Sequence, residues 1–136
     1  MSEVGFVLQT DGAARGNPGP AAAGIVLRYG GETILEHGEC YGSCTNNVSE
    51  YRALIMGLEK SLPWLDSRPL LIQMDSELVV KQINGLYKVK HPDLKPLYAR
   101  VRTLLAKVNL QAVEHICRSM NARADKLAND ALDGRR

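Results

Sequence analysis

At 136 residues, with 45% hydrophobic and 24% charged residues and a net charge of +2, the chain has the size and make-up of one ordinary globular domain. No apolar run approaches the length of a membrane span and Met1-Ser2-Glu3 lacks the pattern of a secretory leader, so a cytoplasmic protein without a membrane partner is expected. Cys40, Cys44 and Cys117 are odd in number and lack Cys-x-x-Cys spacing, which argues against a disulfide framework or a zinc site and predicts reduced, mostly buried thiols.

Residues 4–10 are apolar and short enough for a buried strand, and Gly16-Asn17-Pro18-Gly19-Pro20 then forms a turn that no helix can cross. Residues 22–29 and 33–41 read as two further strands, joined tightly at Gly30-Gly31, so three antiparallel strands are expected first. From residue 46 to about 62 the spacing changes. Tyr51, Leu54, Ile55, Leu58 and Leu62 recur at three and four residues, as on one helix face, and Glu50 lies one turn before Leu54 at the edge of that stripe. Pro63 and Pro69 bracket the exit from this helix. Residues 70–74 are almost continuously apolar, the mark of a strand buried on both faces. Helices are predicted over 76–84 and 94–107, parted by Gly85 and Pro92, then a strand over 111–116 and a helix over 123–132, with Gly134-Arg135-Arg136 as a frayed tail. This order describes an α/β domain in which a hairpin sheet is extended by crossover units, with no internal repeat and no linker.

Four acids, Asp11, Glu50, Asp75 and Asp125, stand where that chain is expected to change direction. Each has a local explanation. Asn47-Val48-Ser49-Glu50 reads as a capping box, Asp75 as a cap for the helix after it, and Asp125 as a carboxylate favoured by a helix N-terminus. Together they allow another reading, because crossover units gather strand ends at one edge of the sheet, where sites form. Neighbouring carboxylates raise one another's pKa, and a divalent cation with hard oxygen ligands relieves that repulsion. Residues 81–107 hold seven basic residues against the single acid Asp93, so the rest of the chain is net acidic. That separation suits a polyanion gripped by the basic flank and cut at the acidic site, or else a solvated helix face.

The blocks Thr10-Asp11-Gly12-Ala13-Ala14-Arg15-Gly16-Asn17-Pro18-Gly19-Pro20, Thr45-Asn46-Asn47-Val48-Ser49-Glu50-Tyr51-Arg52-Ala53, Met74-Asp75-Ser76 and Asn121-Ala122-Arg123-Ala124-Asp125-Lys126-Leu127-Ala128 resemble, in order and spacing, those of type 1 ribonuclease H. The resemblance spans nearly the whole chain. It implies a ribonuclease H-like fold, with a five-stranded mixed sheet of order 3-2-1-4-5 flanked by helices. It also implies hydrolysis of the RNA strand of RNA–DNA hybrids, leaving 5′-phosphate and 3′-hydroxyl ends, with two Mg²⁺ ions or Mn²⁺ in their place. By position Asp11 would bridge both ions, Asp125 would hold the one that activates water, and Glu50 and Asp75 the one at the leaving 3′-oxygen. Asn17, Asn46 and Asn47 match positions that read the minor groove, where an amide both donates to and accepts from a 2′-hydroxyl. Thr45 matches a position near the DNA-strand phosphates. Gly12 either lets backbone approach the substrate or serves a strand-end turn.

Two features set the chain beside the compact archaeal and bacterial members. The basic protrusion is replaced by Gly85-Leu86-Tyr87-Lys88-Val89-Lys90-His91-Pro92, in which Lys88 and Lys90 would meet phosphate and Tyr87 either stacks on the DNA strand or anchors in the core. A histidine-bearing loop is replaced by Cys117-Arg118-Ser119-Met120-Asn121, and Arg118 can stabilise phosphate charge but cannot shuttle protons. His37, His91 and His115 receive no catalytic role. The hybrid is the expected partner, the chain is expected to act as a monomer, and no obligate protein partner is indicated. The competing readings are a same-fold nuclease for double-stranded RNA or branched DNA, and a non-catalytic hybrid-binding module. Clustered acids facing phosphate argue against the second.

Overall fold

A computed structural model describes residues 4–134, so Met1-Ser2-Glu3 and the Arg135-Arg136 end of the expected tail lie outside the described residues. In chain order the elements are β1 (Phe6–Ala14), β2 (Gly19–Tyr29), β3 (Glu32–Cys44), α1 (Asn46–Leu65), β4 (Pro69–Met74), α2 (Glu77–Ile83), α3 (Lys95–Leu105), β5 (Asn109–His115), a 3₁₀ turn (Arg118–Asn121) and α4 (Ala122–Leu132). They form one five-stranded sheet of order β3-β2-β1-β4-β5, as the resemblance implied. β1 pairs antiparallel with β2 and parallel with β4, so the first and fourth strands end side by side, with Thr10 opposite Met74. Among the described residues no helix is long and apolar enough to cross a membrane.

The core lies between the sheet and the helices α1, α2 and α3. Leu8, Ile25, Leu27, Leu54, Leu58, Ile72, Met74 and Val79 are wholly buried there, and the apolar stripe of α1 supplies Tyr51, Leu54 and Leu58. α4 packs on β1, β2 and β3. It comes so near that a Cβ on Gly24 would lie 1.8 Å from the Ala124 carbonyl oxygen, so only glycine fits beneath this helix. Gly24 stands opposite Asp11 in the β1–β2 pairing, which brings the first turn of α4 over the end of the central strand.

Three expectations need correction. α1 runs through Pro63 to Leu65 instead of ending near residue 62. Proline removes a helix hydrogen bond there, and the burial of Leu65 at 4% exposure offsets that loss, before Asp66 and Ser67 turn the chain left-handed at φ 44° and 61°. The hairpin strands continue past residues 22 and 41, because β2 and β3 stay paired from Tyr29–Glu32 to Gly19–Cys44. The thiols are not mostly buried: Cys40 and Cys117 are exposed and Cys44 is half-buried. Cys40 and Cys44 ride on the sheet's outer edge, which no further strand covers among the described residues, and Cys117 lies in the stretch that follows β5.

Candidate active site

The four acids come from four elements. Asp11 lies in β1, Asp75 follows the last residue of β4, Glu50 is in the opening of α1 and Asp125 in the first turn of α4. Oxygens of Asp11, Glu50 and Asp75 lie within 4.8 Å of one another. Asp125 stands outside that trio but lines the same cavity, of about 460 Å³, with Gly12, Arg15, Asn46, Arg118 and Asn129.

The capping readings of Glu50 and Asp75 do not survive the geometry, whereas Asp125 does stand in the first turn of its helix. Thr45, not Asn46 or Asn47, caps α1, its Oγ1 accepting from the Val48 amide at 3.3 Å. Glu50 therefore does not reach back along its helix. Its Oε1 accepts from the Gly12 amide at 2.8 Å, tying the helix to the central strand. Gly12 serves this closeness, since a Cβ there would come 2.4 Å from the carbonyl of Ser49. Neither sequence-level role for Gly12 anticipated that contact. Ser76, not Asp75, caps α2, accepting from the Val79 amide at 3.4 Å. Asp75 Oδ2 accepts instead from Asn121 Nδ2 at 3.4 Å.

Asn121 has a larger part than opening a helix. It is wholly buried, and Nδ2 also donates to the Thr10 carbonyl at 2.9 Å, so one amide links the strand carrying Asp11 to the carboxylate of Asp75. Asn at a helix start reads as a cap in sequence, yet no side-chain cap bond forms here. Asp125 faces Arg118 at 3.7 Å and accepts from Asn129 Nδ2 at 3.2 Å. Arg118 is 82% exposed, so this ion pair contributes little to stability and leaves the guanidinium available. Arg15, which had no assigned role, lines the same cavity and pairs with Asp133 at 2.6 Å.

Burial, then the charges of Glu50, Asp75 and Asp125, push the Asp11 carboxyl up to about 9. Burial also pushes Glu50 up to about 8, the Gly12 N–H pulling it back and Asp75 pushing it further. Carboxyls that hold protons at neutral pH for want of counter-charge suit a cation that replaces those protons. Three convergent carboxylate oxygens form a hard donor set without nitrogen or sulfur, which fits Mg²⁺ or Mn²⁺ better than zinc.

The expected substrate-binding residues divide between two hollows. Gly12, Asn46 and Arg118 line the acidic cavity. Asn17, Thr45 and Asn47 line a second one of about 360 Å³, together with Lys88, Lys90 and His91. The two are joined where Asn17 Oδ1 accepts from the Asn46 amide at 3.0 Å. Asn17, Asn46, Asn47, Lys88 and Lys90 lie at or near the surface. Tyr87 is 47% exposed, with Lys81 5.0 Å from its ring centre, so it is not a core anchor.

The family description "Reverse transcriptase-like" matches residues 9–131. A bifunctional protein of Mycobacterium tuberculosis is 44% identical over 93% of this chain, and the match covers 35% of that protein. Ribonuclease HI of Halobacterium salinarum is 44% identical over 90% of the chain and 62% of its own length. The chain thus spans about a third to three-fifths of the length of these two relatives. Ribonuclease H of Lachnoclostridium phytofermentans is 36% identical over 93% of the chain and 91% of its own length. The crystal structure of the Halobacterium salinarum RNase H1 superposes with a TM-score of 0.90 at 42% identity, covering 95% of this chain and 98% of that one. LC11-RNase H1, solved in complex with an RNA/DNA hybrid, gives the same TM-score and identity over 95% of this chain and 97% of its own.

Proposed function

Because the chain belongs to the type 1 ribonuclease H family, we propose that it hydrolyses the RNA strand of RNA–DNA hybrids at the cluster of Asp11, Glu50, Asp75 and Asp125, leaving 5′-phosphate and 3′-hydroxyl ends. The observation that carries this reading is the convergence of three carboxylates from separate elements within 4.8 Å, beside an exposed hollow lined by amides and lysines. Asp11, Glu50, Asp75 and Asp125 would hold the metal, two Mg²⁺ ions on this reading. When bound, such a pair stabilises the attacking and leaving oxygens of an in-line displacement.

The chain's own residues do the rest. The Gly12 amide fixes Glu50, and Asn121 fixes Asp75, so neither carboxylate must be ordered at the moment of reaction. Asn17, Asn46 and Asn47 present amides to the hybrid's minor groove, where the 2′-hydroxyl distinguishes RNA from DNA. Thr45, Lys88 and Lys90 hold phosphates of the DNA strand. Arg118 stabilises phosphate charge at the rim, since a guanidinium stays charged and takes no part in proton transfer.

Labelled RNA–DNA hybrid, double-stranded RNA and double-stranded DNA, incubated in parallel with Mg²⁺, Mn²⁺ or EDTA, test the reading. Cleavage of the hybrid's RNA strand with either ion, and none in EDTA, is expected. Preferred cutting of double-stranded RNA would assign another substrate, and hybrid binding without cleavage would make the chain a binding module.

A further inference from the structure

The segment that carries Lys88 and Lys90 has no regular structure. It leaves α2 at Asn84 and joins α3 at Lys95, and its start is held where the Leu86 and Tyr87 amides both donate to the Lys81 carbonyl, at 2.8 and 3.2 Å. Farther on, Val89 packs half-buried against the core, but hydrogen bonds to the backbone are sparse. Among the described residues, one side chain hydrogen-bonds the backbone of residues 86–90: Gln82, whose Nε2 donates to the Lys88 carbonyl at 3.4 Å. Lys88 lies between two hollows, the amide-lined one of about 360 Å³ and another of about 400 Å³ behind it, and Gln82 lines both.

Gln82 is a costly residue to keep where it is. The other buried positions of α2 are Val79, Val80 and Ile83, and Gln82 is 4% exposed among them. A buried amide without partners is destabilising. Here both ends are used, because Oε1 accepts from the Tyr51 hydroxyl at 2.7 Å while Nε2 meets Lys88. Tyr51 is wholly buried and follows Glu50 directly. An apolar side chain would satisfy packing alone. The amide adds a connection from the helix of a metal-site carboxylate, through Gln82, to the backbone between two lysines.

We propose that Gln82 is a positioning residue for substrate binding: oriented by Tyr51, it holds the Lys88 backbone so that Lys88 and Lys90 stand at the amide-lined hollow where Asn17, Thr45 and Asn47 meet the hybrid. This rests on the hybrid-cleaving reading above. Losing the tether leaves the lysines in place by sequence but spread over more conformations, and ordering them becomes a cost of each binding event. The effect falls on KM. Turnover is spared, because the tether makes no contact with the reacting atoms.

The test is steady-state cleavage of labelled RNA–DNA hybrid, with melting temperatures, for wild type, Lys88→Gln/Lys90→Gln, Gln82→Met and Tyr51→Phe/Gln82→Met. Methionine keeps the length of glutamine and makes neither bond. Gln82→Met is expected to raise KM roughly threefold to tenfold, the effect of losing one net hydrogen bond, with kcat changed less than about twofold. Its melting temperature falls, since the Tyr51 hydroxyl is left buried and unpaired. The double variant removes that hydroxyl and recovers the melting temperature, yet it keeps the raised KM because Lys88 is still untethered. It carries the test if Gln82→Met alone folds poorly. A KM that returns to wild type together with the melting temperature, or one unmoved by Gln82→Met, overturns the proposal and leaves Gln82 a core residue. If wild type cuts hybrid but Lys88→Gln/Lys90→Gln leaves KM unchanged, the tether has no substrate contact to position and the proposal fails with the activity intact. If wild type does not cut hybrid, the activity reading itself fails.

Discussion

Asp11 is buried in the central strand at 5% exposure, and its carboxyl is raised from 3.8 to about 9. The folded protein holds a proton on Asp11 that the unfolded chain has already released. Stability from this residue is therefore fully present below about pH 4 and is lost as pH rises toward 9, and Glu50, raised from 4.5 to about 8, acts in the same direction. Asp11→Asn should lower kcat by on the order of a hundredfold to a thousandfold or more, as expected when a preorganised charge-stabilising group is removed. In metal-free buffer its melting temperature should hold or exceed that of wild type, with a gap that widens from pH 5 to pH 9. Parallel cleavage assays and thermal melts check this, and an active variant, or one that melts lower at pH 9, would contradict the site. The acids themselves were legible in the sequence from their four surrounding blocks. Their partners were not, because Gly12 N–H to Glu50 and Asn121 to Asp75 join residues 38 and 46 positions apart, and short-range capping patterns masked both.

Local signals marked every strand and α-helix: three-and-four spacing for α1, apolar runs and tight turns for the strands, and glycine and proline breaks for the later helices. Element ends were harder to read. Pro63 reads as a stop until the burial of Leu65 is known, and the thiols of Cys40 and Cys44 read as buried until β3 is known to be the sheet's edge. The seat of α4 is a feature of this scale. Gly24→Ala would place a methyl 1.8 Å from the Ala124 carbonyl, so the helix must lift, and overpacking of this kind costs about 1–3 kcal/mol. Asp125 is the next residue after Ala124 and moves with it. A lower melting temperature together with a reduced kcat is expected from calorimetry and steady-state cleavage, whereas a variant with wild-type melting and turnover would mean that α4 shifts freely on the sheet.

Over the whole molecule, charge is divided between the acidic sheet edge and the basic stretch from Lys81 to Lys107. The sequence presented that stretch as one block. The structure divides it, for Lys88 and Lys90 line the hollow shared with Asn17, Thr45 and Asn47, whereas Lys95 lines the hollow behind the loop. Replacing Lys88 or Lys90 with glutamine should reduce the salt slope of log KM by roughly 0.7–0.9 for each phosphate no longer neutralised, and Lys95→Gln should leave it unchanged. Salt titrations of cleavage by the three single variants check this; equal slopes for all three would make the stretch an unspecific basic face. The order of the chain carries a separate consequence. Asp11, Glu50 and Asp75 are all made within the first 75 residues, but Asn121 and Asp125 are supplied near the end, by the segment that begins α4 and lies over β1, β2 and β3. A ribosome-bound or truncated chain that stops before residue 121 has three of the four acids and lacks both the fourth and the amide that steadies Asp75. On the reading proposed above, such a chain would carry an incomplete set of ligands, and the synthesis of α4 is the step that would complete the centre.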